Sequence, residues 1–158
     1  MSWHFIQDGR YHAQHVIDGT HCRCNATMIR VFLLDDDELV RLGVRHLLDA
    51  ADDLEVVGEA ENVAEAVALG PAATPDVALL DVQLPDGTGI EVCRELRSLV
   101  PELRCLMLTS LDNAESEYQA MMAGASGYLL KNVRGAALVA SIRRVAAGEI
   151  LLDPLAAG

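Results

Sequence analysis

Lysine is almost missing from this sequence: Lys131 stands alone beside eleven arginines among the 12 basic residues. Positive charge is scarce altogether, with 24 acids against 12 bases and a formal net charge of −12. A nucleic-acid interface needs a basic face to meet phosphates, so direct DNA binding by these residues is not expected. Long apolar runs are absent too. No stretch approaches the ~18–20 residues that cross a bilayer. The first residues have neither the basic start nor the continuous apolar segment of a secretory signal. The expectation is a cytoplasmic protein with no membrane association. Cysteine is sparse, at Cys22, Cys24, Cys93 and Cys105. The last two sit in the apolar stretches IEVCREL and LRCLMLT and read as small buried hydrophobes. Without a secretion signal, no disulfide framework is expected. Glycine signatures of dinucleotide and P-loop sites are missing as well.

What remains suffices for one domain with a short extension: 158 residues, 51% of them apolar. Residues 1–27 differ from the rest, holding four of the five histidines and the only tryptophan, without periodicity. His12, His15, His21, Cys22 and Cys24 invite a metal reading. The C-x-C pair is tighter than zinc spacing, however, and the order matches no common finger. This segment reads instead as a disordered leader, or as translation assigned upstream of Met28. Residues 28–150 are expected to form the domain and 151–158 to begin a linker.

From Ile29 the pattern is regular. IRVFLL (29–34) is a β-rich apolar run that stops at three aspartates. Val40, Val44, Leu47, Leu48 and Ala51 then recur at helical spacing. LEVVGEA (54–60) reads as a second strand, and NVAEAVALG (62–70) as a helix ended by Gly70 and Pro71. PDVALLDV (75–82) is a third strand, with the turn LPDGTG after it. Ile90, Val92, Cys93 and Leu96 mark the next helix. LRCLMLT (103–109) is the fourth strand, Asn113 to Ala123 a helix, and GYLL (127–130) the fifth strand. A last helix carries Leu138, Ile142 and Val145. Five short apolar strands alternating with five helices imply an α/β fold, a parallel sheet covered on both faces by right-handed crossovers.

In such a sheet the ligand site lies beyond the carboxyl ends of the strands. Strand one ends in Asp35-Asp36-Asp37, strand three in Asp81, strand four in Thr109-Ser110, and strand five in Lys131. Strand two ends at Glu59, which reads as marginal surface. Several carboxylates brought together repel one another, and burial raises the cost. A hard cation with oxygen ligands resolves this. Magnesium suits best, because it takes one or two carboxylates, keeps waters and shares itself with phosphate oxygens. A carboxylate can also be a nucleophile toward phosphorus, and Asp81, ending the most apolar strand, is the candidate. Lys131 and the Thr109 hydroxyl would bind phosphoryl oxygens, the lysine as a compact point charge. Taken singly, each residue has a plainer reading: Asp37 as a helix N-cap, Thr109 as an ordinary strand residue, Lys131 as a solvated cation. Jointly, the plain readings require four coincidences in register.

With Asp35-Asp36, the block LLDVQLPDGTGIE, LTS and GASGYLLK in place, the chain resembles the receiver domains of bacterial two-component response regulators over residues 29 to about 150. LPDGTG and AGASGYLLK are similar to the LuxR/NarL class. The resemblance implies a doubly wound, flavodoxin-like sheet of order 2-1-3-4-5. It implies phosphoryl transfer to Asp81 from the phosphohistidine of a sensor histidine kinase. Magnesium would be held by Asp35, Asp36, Asp81 and the Gln83 backbone carbonyl. Thr109 and Lys131 would engage the phosphoryl group, and Tyr128 would be the aromatic that moves with Thr109. The domain would catalyse only its own phosphorylation and dephosphorylation. DNA would be reached only through a helix-turn-helix effector domain absent from these residues, the chain being a shortened or a single-domain regulator. Met121 and Met122 on the fourth helix suggest a homodimer, or else belong to the core. Two rivals stand beside this reading. One is a magnesium-dependent phosphohydrolase using Asp35 and Asp37 as a D-x-D pair, for which the chain has no residues to spare for a cap. The other is an adaptor that keeps the fold without phosphorylation.

Overall fold

A computed structural model describes residues 5–7, 10–12, 27–110 and 112–152. Cys22 and Cys24 and the proposed leader's histidines His4, His15 and His21 lie outside them. Within the N-terminal extension, Phe5–Gln7 and Arg10–His12 pair as a short antiparallel ladder.

The body alternates strand and helix: β1 (Ile29–Leu34), α1 (Glu38–Asp49), β2 (Leu54–Ala60), α2 (Val63–Ala73), β3 (Val77–Leu80), α3 (Gly89–Leu99), β4 (Arg104–Thr109), α4 (Ala114–Met122), β5 (Gly127–Leu130) and α5 (Gly135–Ala146). The five strands form one parallel sheet in the order β2-β1-β3-β4-β5, as the resemblance implied.

The central strands β1, β3 and β4 are apolar and buried along most of their length because both of their faces are covered. Successive side chains alternate between them. Phe32, Leu34, Ala78, Leu80, Cys105 and Met107 point to one face, under α2, α3 and α4. Val31, Leu33, Val77, Leu79, Leu106 and Leu108 point to the other, under α1 and α5. Fully burying one such Leu or Val contributes about 1.5–3 kcal/mol, so a one-residue slip of register would forfeit a whole layer. Cys93 and Cys105 are buried free thiols in the first layer.

Side-chain caps start four of the helices. Asp37, Asn62, Thr88 and Asn113 accept backbone N–H groups of α1, α2, α3 and α4, and Thr88 forms a capping box with Glu91. Asp37 therefore does what its plain reading said.

One local expectation fails, and another holds save at one residue. Helix α2 does not stop at Gly70-Pro71 but runs on to Ala73, ending where Thr74 adopts φ 48°. Proline fixes φ near the helical value and forfeits only one hydrogen bond, and here the loss falls in the last turn. Helix α1 buries Arg41, Val44 and Leu48, whereas Leu47 is 38% exposed. Val40 and Ala51 pack against the same layer, so the expected stripe faces inward save for Leu47, and Arg41 joins it.

Candidate functional site

The register of β1, β3 and β4 builds the site. Leu34 pairs with Leu80, and Leu80 with Met107, so Asp35 and Asp81 emerge side by side one residue later. Thr109 pairs with Leu130, which delivers Lys131 to the same edge. Backbone bonds fix these exits: Asp81 N–H donates to Leu34 O at 2.8 Å, Asp35 N–H to Ala60 O at 3.2 Å, and Lys131 N–H to Thr109 O at 2.7 Å.

Oxygens of Asp35, Asp36 and Asp81 all lie within 4.8 Å of one another. Asp35 and Asp81 are each only 5% exposed, and Asp36 is open to solvent. Lys131 Nζ bridges the two buried acids, 2.7 Å from Asp35 Oδ2 and 2.9 Å from Asp81 Oδ2. The second oxygen of Asp35 accepts the Asp37 N–H at 2.8 Å, and that of Asp81 accepts the Gln83 N–H at 3.4 Å. Burial pushes the Asp81 carboxyl above the ordinary aspartate range, and the charge of Asp35 adds to this against the pull of Lys131. Burial opposes the Lys131 ammonium, but its bonds to Asp35 and Asp81 outweigh that and hold its pKa above the usual lysine value.

The cluster thus carries three carboxylates against one ammonium. Such an excess in a partly buried edge is what a hard divalent cation relieves, and an all-oxygen donor set excludes soft metals. The three acids fit magnesium on that chemistry.

Thr109 is fully buried at the end of β4. Tyr128 is half-buried on β5. Burial raises its hydroxyl pKa, while hydrogen bonds with Ser116 and Thr109 act the other way. Thr109 and Tyr128 thus share a hydrogen bond.

Gly89 opens α3 directly beneath the site. A Cβ there would stand 1.9 Å from the Asp81 carbonyl oxygen, so only glycine admits this approach. Asp35, Asp36, Asp81 and Lys131 meet at this edge, Thr109 ends β4 beside them, and Gln83 follows Asp81. Sequence reasoning missed Arg41, 9% exposed, whose Nη1 donates to the Asp35 carbonyl oxygen at 2.6 Å. An arginine inside an apolar helical stripe was the available signal.

A doubly wound sheet with acids from β1 and β3, a hydroxyl from β4 and a lysine after β5 defines a class. Residues 31–143 match the response regulator receiver domain, and the chain belongs to that family: it is a receiver domain of a two-component response regulator.

Among curated relatives, the DNA-binding transcriptional activator DevR/DosR of Mycobacterium tuberculosis is 55% identical over 82% of this chain and 60% of its own length. The transcriptional regulatory protein LiaR of Bacillus subtilis is 37% identical over 83% of this chain and 62% of its own. This chain therefore spans about three-fifths of the curated relatives it matches. Two solved structures agree. A LuxR-family response regulator from Aurantimonas sp. SI85-9A1 has a TM-score of 0.76 at 35% identity, covering 83% of this chain and 94% of that one. The receiver domain of the putative response regulator NarL from M. tuberculosis has 0.75 at 36% identity, covering 78% and 99%. Among the described residues, no helix is long and apolar enough to cross a membrane.

Proposed function

We propose that this domain is a phosphorylation-driven switch whose acceptor is Asp81. The observation that carries the reading is the bridge of Lys131 between Asp35 and Asp81, with Asp36 within one ion's reach. Asp35, Asp36, Asp81 and the Gln83 backbone carbonyl would hold magnesium. When bound, the ion neutralises charge building on the phosphoryl oxygens.

A carboxylate oxygen of Asp81 attacks the phosphorus of a kinase phosphohistidine. The O–P bond forms as the N–P bond breaks, and the imidazole leaves. Lys131 then exchanges its contact with Asp81 for a phosphoryl oxygen. The Thr109 hydroxyl turns toward the phosphoryl group, and Tyr128, already bonded to it, follows. This couples the site to the surface of α4, β5 and α5. Turnover is confined to the domain's own phosphorylation and hydrolysis.

The reading implies a cytoplasmic protein with a sensor histidine kinase as donor. Its output passes to DNA through an effector domain outside these residues, in keeping with the transcription-regulator relatives. Self-association would use the α4 face, where Met122 is 66% and Tyr118 41% exposed. The phosphohydrolase alternative loses its D-x-D pair, since the Asp37 side chain accepts from Leu39 and Val40 N–H and caps α1.

Incubation with acetyl phosphate and magnesium is expected to add the mass of one phosphoryl group to the intact chain and none to Asp81→Asn. An equal adduct on the variant, or steady turnover of a phosphomonoester, overturns the reading.

A further inference from the structure

We infer that Arg41, Glu61 and Asp86 are positioning residues for the cation site, bracing its two acidic walls through the first turn of α2. The inference rests on the reading that Asp35, Asp36 and Asp81 hold magnesium.

One wall is the end of β1. The carboxylate of Asp35 is occupied by Lys131 and by the Asp37 N–H, so Arg41 acts on that residue's main chain. Its Nη1 donates to the Asp35 carbonyl oxygen at 2.6 Å. Its Nη2 donates to Glu61 Oε1 at 2.7 Å. Glu61 sits immediately before Asn62, the N-cap of α2, and its own N–H is held by Glu65 Oε2 at 3.0 Å.

The other wall is the loop that follows Asp81. Here Asp86 reaches across to the same helix turn. Its Oδ1 accepts the Val63 N–H at 2.8 Å and its Oδ2 the Ala64 N–H at 3.1 Å. The start of α2 is therefore tied on one side to Asp35 and on the other to the loop of Asp81, although α2 contributes no acid to the cluster. A crossbeam of this kind sets the separation of two ligand groups without touching the ion.

The ion gives such a brace its purpose. Magnesium demands near-ideal geometry with bonds of about 2.0–2.1 Å, so a small splaying of the walls costs affinity. Outer groups that orient ligands commonly change metal affinity by about 10–100-fold when removed. Packing alone does not call for these residues. Helices α1 and α2 are already anchored by Val44, Leu48 and Ala66, and both Glu61 and Asp86 are exposed. The two-pronged reach of Arg41 also needs a guanidinium, since an ammonium presents a single point.

Calorimetric titration with magnesium tests this on wild type, R41M, R41K, E61A, D86A and the R41M/D86A double variant. Urea unfolding in EDTA runs alongside, so that affinity is compared among folded proteins. R41M and D86A are expected to weaken binding about tenfold, with R41K close to R41M. The double variant should be little worse than the weaker single one, because one broken end already frees the beam. Binding within twofold of wild type in the folded single variants overturns the inference, as does a double variant whose losses multiply. If R41M does not fold, the exposed sites Glu61 and Asp86 decide the matter alone. Failure of the wild type to bind magnesium overturns the functional reading itself, a separate result.

Discussion

Two ion pairs with nearly the same distances sit at opposite ends of the sheet. Near the amino end of β2, Arg143 holds Asp53 through Nη2–Oδ1 at 2.7 Å and Nε–Oδ2 at 2.8 Å. At the carboxyl edge, Lys131 holds Asp35 at 2.7 Å and Asp81 at 2.9 Å. The first pair is balanced in charge and open to water, with side chains 48% and 39% exposed. The second has a surplus of carboxylate, and the side chains of its acids are 7% and 6% exposed. Contact distance does not separate structural from functional electrostatics. Burial and charge imbalance do, because only a desolvated surplus leaves something for a cation or a phosphoryl group to correct.

Breaking the buried cluster gives the largest expected effect. Lys131→Met leaves two buried carboxylates without their counter-charge and should destabilise the fold by roughly 3 kcal/mol. Urea unfolding in EDTA measures this, and added magnesium should restore part of the loss. An unchanged midpoint would show the carboxyl edge to be as solvated as the Asp53 pair.

Next comes the ground beneath the cluster. Gly89→Ala drives a methyl into the Asp81 carbonyl oxygen and should cost about 2 kcal/mol through overpacking. Gly43, on the open face of α1, has nothing within 4 Å of an added Cβ. Gly43→Ala should therefore stabilise by about 0.5–1 kcal/mol. Thermal melts of the two variants should move in opposite directions.

A smaller change is expected from Thr109→Val, which keeps shape and removes the hydroxyl shared with Tyr128. It should cost about 1 kcal/mol. Phosphoryl labelling of Asp81 should survive, while the phosphorylation-dependent shift of the Tyr128 ring signals in NMR is lost.

The exposed pair should respond least. The Arg143 side-chain bond, the largest influence, holds the Asp53 carboxyl below its model-peptide value of 3.8. A depressed carboxyl contributes stability above its unfolded pKa and loses it as pH falls through the folded value. The gap between wild type and Asp53→Asn should thus be small at neutral pH, close below about pH 4, and shrink in high salt. Urea midpoints across pH and salt check it. A gap that persists at high salt would erase the contrast between the two ends.

Most of the fold was legible because a doubly covered strand cannot hide: VALL and the inner parts of IRVFLL and RCLMLT are apolar on both alternating sets, as cover on both faces requires. The site was legible for a related reason. Polar residues interrupt those runs at their carboxyl ends, and strand-end position translates directly into place. Arg41 and Asp86 were not legible. An arginine in a helical stripe and an aspartate in a P-D-G turn each have a satisfactory local reading, and neither names a partner 20 or more residues away. The end of α2 misled for the opposite reason. Gly70-Pro71 is a strong stop signal, overridden where the loss falls in a final turn.

By itself, then, the sequence determined the five strands of the central sheet, their cover on both faces and the identity of the residues that meet at its edge. These follow from alternation and spacing, which are local properties of a chain. Tertiary structure alone decided that Lys131 spans Asp35 and Asp81, and that Arg41, through Glu61, and Asp86 both tie to the start of α2. Those facts depend on register and on which buried polar group finds a partner, and a chain learns both only when it closes on itself.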